Sequence, residues 1–360
     1  MSVHSPALSL GLTNANVGAW RSRTLALLLM AIIGTIFWAD SRYPALMKRY
    51  HAGGRVTAKG ALTFGSVYQV DRSMPLQVRV WRTTMNWLDA NRIGMTFSFL
   101  FGPAALTFLA MLPRRRTGSK YVNTLFGAVA GIPMAVCTNC VAPIARGFYA
   151  AGMSRESVLA AMFASPALNV VVLAMSFALF PAKVALLKLA TVLFLILVFA
   201  PAVASREEQK GYVCPIEIPL AESWWQATVS VVHLFTKSFW YVFRVAFPLM
   251  ILGALLGALV VELLPAQALV AQVSILGIVV VALVSAFLPV PMAFDVAIAY
   301  IALSHGAPLP YVVTILCTLG IVSVFSLSVI GKTISWRLAA TTYAVVAALG
   351  TVAGVIARSL

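Results

Sequence analysis

The run Gly131-Ile132-Pro133-Met134-Ala135-Val136-Cys137-Thr138-Asn139-Cys140-Val141-Ala142-Pro143 decides how this chain folds. Its apolar character asks for a helix in a membrane, yet it carries two prolines. Pro133 cannot donate to the carbonyl of Val129, and Pro143 cannot donate to that of Asn139. Lipid offers no hydrogen bonds in their place, so broken backbone at that depth must be buried in protein or line a cavity. The run therefore predicts an unwound helix, with Cys137-Thr138-Asn139-Cys140 at the break.

Outside this run, the composition shows that the solvent is lipid. Of 360 residues, 61% are hydrophobic and 10% charged, with a mean hydropathy of +0.94. A soluble core cannot hide that much apolar surface. A helical span needs roughly 20 apolar residues, and about nine such stretches occur. They lie near 24–39, 93–112, 121–150, 155–180, 183–204, 238–264, 272–303, 308–330 and 337–357. The expected fold is an all-α polytopic membrane protein of about nine transmembrane helices. The first stretch follows Arg21 and Arg23 and is followed by Trp38, Asp40 and Arg42 rather than a small-residue cleavage site, so it reads as an uncleaved span.

The net charge of +16 is scattered over loops instead of forming a stripe, which argues against nucleic acid as a partner. Its use is orientation. The short basic loop Arg114-Arg115-Arg116-Thr117-Gly118-Ser119-Lys120 resists translocation, placing the N-terminus in the cytoplasm and 40–92 outside. Four cysteines exclude a disulfide scaffold but leave single functional thiols. No Walker A motif is visible, which disfavours self-contained ATP-driven transport.

The opening run has an echo. Ile132-Pro133-Met134-Ala135 matches Val290-Pro291-Met292-Ala293 at an offset of 158, and Gly152 matches Gly306 at 154. Ser165-Pro166-Ala167-Leu168-Asn169 lies against Leu319-Gly320-Ile321-Val322-Ser323 at the same second offset, so the first half holds extra residues, for which 137–140 is the candidate. The expected organisation is a helix and external segment (1–92), a first repeat (93–204), a linker with an interfacial helix (205–237) and a second repeat (238–360). Four crossings in each half would make the repeats parallel. Gln77-Val78-Arg79-Val80-Trp81 reads as a strand or an interfacial helix, and the linker carries Glu207, Glu208, Cys214, Pro215 and Trp224-Trp225.

Matching breaks in two halves point to a central binding site. The helix-break residues are Pro133, Pro143, Pro166, Pro289, Pro291 and Gly320. Cys137 and Cys140 form a CxxC pair whose thiolates would suit a soft metal or metalloid ligand, or would pack as small apolar groups. Asp295 is the acidic residue placed deep in a span, a candidate for proton exchange, with Arg146 or Arg244 as structural partners. Arg146 would attract an anion or snorkel, and Lys188 and Arg244 would snorkel or serve the structure. Thr138, Asn139, Ser165, Asn169 and Ser323 complete the expected substrate-binding set. No other cofactor is implied. Cys317, three residues before Gly320, reads as packing.

The run 133–143, with Gly147, Gly152 and Ser165-Pro166-Ala167-Leu168-Asn169, resembles the predicted-permease family that includes the organoarsenical efflux permeases. The resemblance covers roughly 93–357. Family members often carry Cys-x-Cys, whereas here the second sulfur falls one position later. The resemblance implies a permease of the bacterial inner membrane, a transporter rather than an enzyme, moving a small solute, with export of an organoarsenical as one possibility within the family and a soft metal(loid) or thiol-reactive compound as the candidate substrate. Its partners are the lipid bilayer and a small solute, with a homodimer left open. Two rival readings are a membrane thiol-disulfide oxidoreductase using Cys137 and Cys140, and an accessory subunit of a membrane complex.

Overall fold

The structure, a computed structural model, describes residues 6–44, 47, 67–71, 73–112, 119–203, 223–263, 273–304 and 306–359. Arg114 to Arg116, Glu207, Glu208, Cys214 and Pro215 lie outside these residues. Among those described, the chain is helical throughout and has no β-strand.

In the first part, α1 (Pro6–Phe37) runs into a π turn at Trp38–Arg42. Next come α2 (Leu76–Ala110), α3 (Lys120–Gly131), α4 (Thr138–Ala150), α5 (Arg155–Ala167), α6 (Val170–Leu179) and α7 (Ala182–Ala202). The second part holds α8 (Trp224–Leu263), α9 (Ile275–Phe287), α10 (Phe294–Ser304), α11 (Leu309–Thr318), α12 (Val324–Thr333) and α13 (Trp336–Ile356).

Two expected boundaries fall inside helices. Residues 77–81 form the first turns of α2, which Pro75 starts and which runs through residue 93 without a break. Likewise α8 begins at the exposed Trp224 and Trp225 and continues past residue 237. Pro143 and Pro166 also differ from expectation: each sits inside a helix, α4 and α5 respectively.

Among the described residues five helices are long and apolar enough to cross a bilayer: Trp20–Arg42, α2, α7, Trp224–Leu259 and α13; α5 with α6, bent by 48°, would make a sixth if the pair is one span. The stretches 121–150 and 272–303 are not crossings. Asn123 Nδ2 donates to Glu156 Oε1 at 2.9 Å, so the start of α3 lies beside the start of α5, next to where α4 ends. Hence α3 and α4 form a hairpin that enters and leaves on one face. Ser274 N donates to Tyr311 Oη at 3.3 Å, which places the start of α9 beside the start of α11, where α10 ends. That is a second hairpin. The cause is length: each leg has 11 to 13 residues and is about 17–20 Å long, short of a hydrocarbon core of about 30 Å.

The hairpins enter from opposite faces. Along α2 and α8, Thr107 meets Ser238 and Phe99 meets Phe247, so these two long helices are antiparallel. Leu106 and Ala150 line one pocket with Tyr241, putting the mouth of the α3–α4 hairpin at the end of α2, here the first face. A Cβ on Gly354, near the end of α13, would stand 2.8 Å from Ile278 in the first turn of α9, while Thr333, just before α13 starts, bonds Arg146 near the first face, so the mouth of the other hairpin is on the second face. The pair α11–α12 runs the length of α13, from Pro310 beside Gly354 to Gly331 beside Trp336. Among the described residues five or six helices reach crossing length, which does not confirm about nine spans or four crossings in each half.

Candidate functional site

At the first hairpin's tip a 3-10 turn, Ile132–Met134, leads to Ala135 at φ 46°, and extended Cys137 caps α4 by accepting from Cys140 N at 3.0 Å. A non-glycine residue in left-handed conformation is held there by its surroundings. Two carbonyls of the tip accept from side chains of the first helix's π turn. Trp38 Nε1 donates to Pro133 O at 2.8 Å and Arg42 Nε to Ala135 O at 2.6 Å. Val136 N donates to Ser165 Oγ at 3.2 Å, so Ser165 braces the tip from α5.

The second tip repeats the device. Leu288 is extended, residues 288–291 lie outside any helix, Ala293 has φ 64° and α10 follows. Trp87 Nε1 donates to Pro289 O at 2.8 Å and Asn139 Nδ2 to Val290 O at 3.1 Å. A third break, between α11 and α12, turns on Gly320 at φ +80°, a conformation that suits glycine because a Cβ is absent. Thr138 Oγ1 donates to Gly320 O, and Ser323 Oγ, which caps α12, donates to Asn139 Oδ1 at 2.7 Å. The first tip is therefore bonded to both breaks of the second half. The N-termini of α4 and α12 meet there, presenting partial positive charge to an electron-rich group.

Asp295 occupies the first turn of α10, where a helix N-terminus favours a carboxylate. A Cβ on Gly320 would stand 3.3 Å from Asp295 Cβ, which puts the acid beside the third break. Its partner is Lys188 of α7, Nζ to Oδ2 2.5 Å, with side-chain exposures of 3% and 9%. Of the two readings of Lys188 the buried pair favours the structural one over snorkelling, and the acid's partner is Lys188 rather than Arg146 or Arg244. At six residues from the start of its helix, Lys188 cannot reach the surface as cheaply as it meets Asp295. Cys317, fully buried, borders the pair through Thr191.

Other expected site residues sit differently. Cys137 and Cys140 are joined as a disulfide, their Cα atoms 5.0 Å apart across one helical turn, which lies within disulfide reach. In that state they offer no thiolate, so a soft ligand requires prior reduction. Among the described residues no group of three or more His, Cys, Asp and Glu is placed to hold a metal ion. Arg146 lies away from the breaks: it donates to Tyr241 O at 3.3 Å and Thr333 Oγ1 at 3.1 Å and stacks 4.2 Å over the Tyr241 ring. Asn169 caps α6 and bonds Ser165 O and Pro166 O, all local partners.

Trp38, Arg42, Trp87 and Lys188 were absent from the sequence-based site. Lys188 had a signal, being a cation set within an apolar stretch, and such a residue is a functional candidate on the same ground as Asp295. The other three had none, because nothing local ties residue 38 or 87 to a proline some 95 or 202 positions away.

Comparison with known proteins identifies the family. The chain is 27% identical over 238 residues to the UPF0718 protein YraQ of Escherichia coli (strain K12), an alignment covering 66% of this chain and 68% of the relative. No solved structure matches the chain. The sequence profile of a family described as "Predicted permease" matches residues 93–359, from within α2 to the end of α13. That match spans both hairpins and all three breaks, and the chain belongs to the predicted-permease family.

Proposed function

We propose that the chain is a secondary transporter in which a small solute passes the meeting point of the two hairpin tips, with proton movement coupled through Asp295 and Lys188. The observation that carries this reading is the Lys188–Asp295 pair, buried beside Gly320, whose carbonyl is held by Thr138, the neighbour of Cys137. A proton delivered to Asp295 leaves Lys188 as an uncompensated buried cation, so protonation and rearrangement are linked. Thr138, Asn139 and Ser323 would contact the solute, and reduced Cys137 and Cys140 would engage a soft metal(loid) or another thiol-reactive group.

In this reading 93–204 and 238–360 are repeats of inverted orientation, each a long helix, a hairpin, a broken crossing and a final crossing. The N-terminus faces the cytoplasm of an inner membrane, and the direction is export. In vesicles, a pH gradient is expected to drive uptake or release of a thiol-reactive arsenical by the parent chain and not by Asp295→Asn. Unchanged gradient-driven flux in Asp295→Asn would remove the coupling claim.

The disulfide favours a second reading, a thiol-disulfide oxidoreductase. Reduction of Cys137–Cys140 takes two electrons and two protons from a dithiol donor, which becomes a disulfide. Trapping a mixed disulfide between Cys137 and such a donor would support it, and full activity of Cys137→Ser would count against it.

A further inference from the structure

Lipid cannot satisfy the carbonyls freed at the breaks, and the donors that reach the two hairpin tips from outside come from an unexpected part of the chain. Trp38 holds Pro133 O and Trp87 holds Pro289 O, each at 2.8 Å, while Arg42 holds Ala135 O at 2.6 Å. All three precede residue 93, where the family match begins. Without them both tips carry orphaned acceptors.

Each indole also stands in an apolar cleft that ends at its own tip. The cleft of about 380 Å³ beside the first hairpin runs from Trp38 and Pro133 to Leu109 and Met153, toward the first face. The cleft of about 450 Å³ beside the second runs from Trp87 and Pro289 past Val280 and Ile298, toward the second face. Each tip contains a single left-handed alanine, Ala135 or Ala293, able to absorb a change in backbone angle.

We infer that Trp38 and Trp87 are the positioning residues of two gates, one for each face. Releasing one indole–carbonyl bond lets that hairpin tip move into its cleft and exposes the site to that face. Asn139 bonded to Val290 ties the tips together, so movement of one presses the other toward its closed position. The inference rests on the permease reading above.

The test uses Trp38→Phe and Trp87→Phe, which keep a ring and remove the N–H. Right-side-out and inverted membrane vesicles are reduced, exposed to a membrane-impermeant maleimide, and the peptide bearing Cys137 and Cys140 is quantified by mass spectrometry. Trp38→Phe is expected to label about fivefold to tenfold faster from the first face only, and Trp87→Phe from the second face only, as the loss of one hydrogen bond implies. Histidine at either position restores a ring N–H and returns labelling toward the parental rate. Equal acceleration from both faces, or none, overturns the inference. If Trp38→Phe does not accumulate, Arg42→Gln must give the same one-sided change. Labelling needs no substrate, so this result stands or falls apart from the Asp295→Asn flux assay.

Discussion

The two hairpins solve one backbone problem with different chemistry. Both turn on a left-handed alanine and both lend a proline carbonyl to a tryptophan. The first tip is fastened covalently, by Cys137–Cys140 at the cap of a 13-residue leg. The second is fastened by charge, through Asp295 in the first turn of an 11-residue leg and Lys188. The extra length of the first leg, with the extended link at Val136 and Cys137, accommodates the sulfurs. A tip held by a disulfide responds to redox state and a tip held by an ion pair responds to protons, so one fold carries two separate controls.

Breaking the charged tip gives the largest expected effect. Lys188→Ala strands a buried carboxylate and should cost about 3–5 kcal/mol of stability, seen as a lower unfolding temperature in detergent. Replacing both partners, Lys188→Met with Asp295→Leu, should recover most of that stability while leaving flux abolished. A double variant as unstable as the single one would contradict the pair's isolation. The covalent tip is tested by Gly94→Ala, whose Cβ would meet Cys140 Sγ at 2.7 Å. Overpacking of about 1–3 kcal/mol is expected, read as a lower melting temperature that reduction of the disulfide partly relieves.

Smaller effects concern the contact between the tips. Gly320→Ala forces a side chain into left-handed backbone at a cost of about 1–2 kcal/mol and crowds Asp295, so it should shift the pH dependence of flux as well as stability. Thr138→Val removes the donor to Gly320 O and should cost about 1 kcal/mol, with flux reduced and both faces of the protein still folded. Stability equal to the parent in Thr138→Val would show that the contact contributes nothing.

How much of this was legible in the sequence depends on the distance over which each signal acts. Pro133, Pro289, Pro291 and Gly320 announce their breaks because the disturbance is local: a missing N–H or a missing Cβ. The family too was legible, because Cys137 to Pro143 and Ser165 to Asn169 carry its pattern in contiguous residues. Hairpins and crossings, by contrast, have the same hydropathy. The 121–150 stretch is apolar enough for a span, and only the left-handed turn at Ala135 folds it in two. Pro143 misled because proline inside a helix removes one bond without stopping the helix. Lys188 and Trp87 find partners through tertiary packing alone, across 107 and 202 positions of sequence.

The most direct test of the account asks on which face each hairpin opens. Ala151→Cys reports the mouth of the first hairpin and Ala307→Cys the mouth of the second, each in a Cys214→Ser background and without reductant, so that the Cys137–Cys140 disulfide and buried Cys317 stay silent. An impermeant maleimide should label the two positions from opposite sides of the membrane. Labelling of both from the same side would contradict opposed hairpins and restore four crossings in each half.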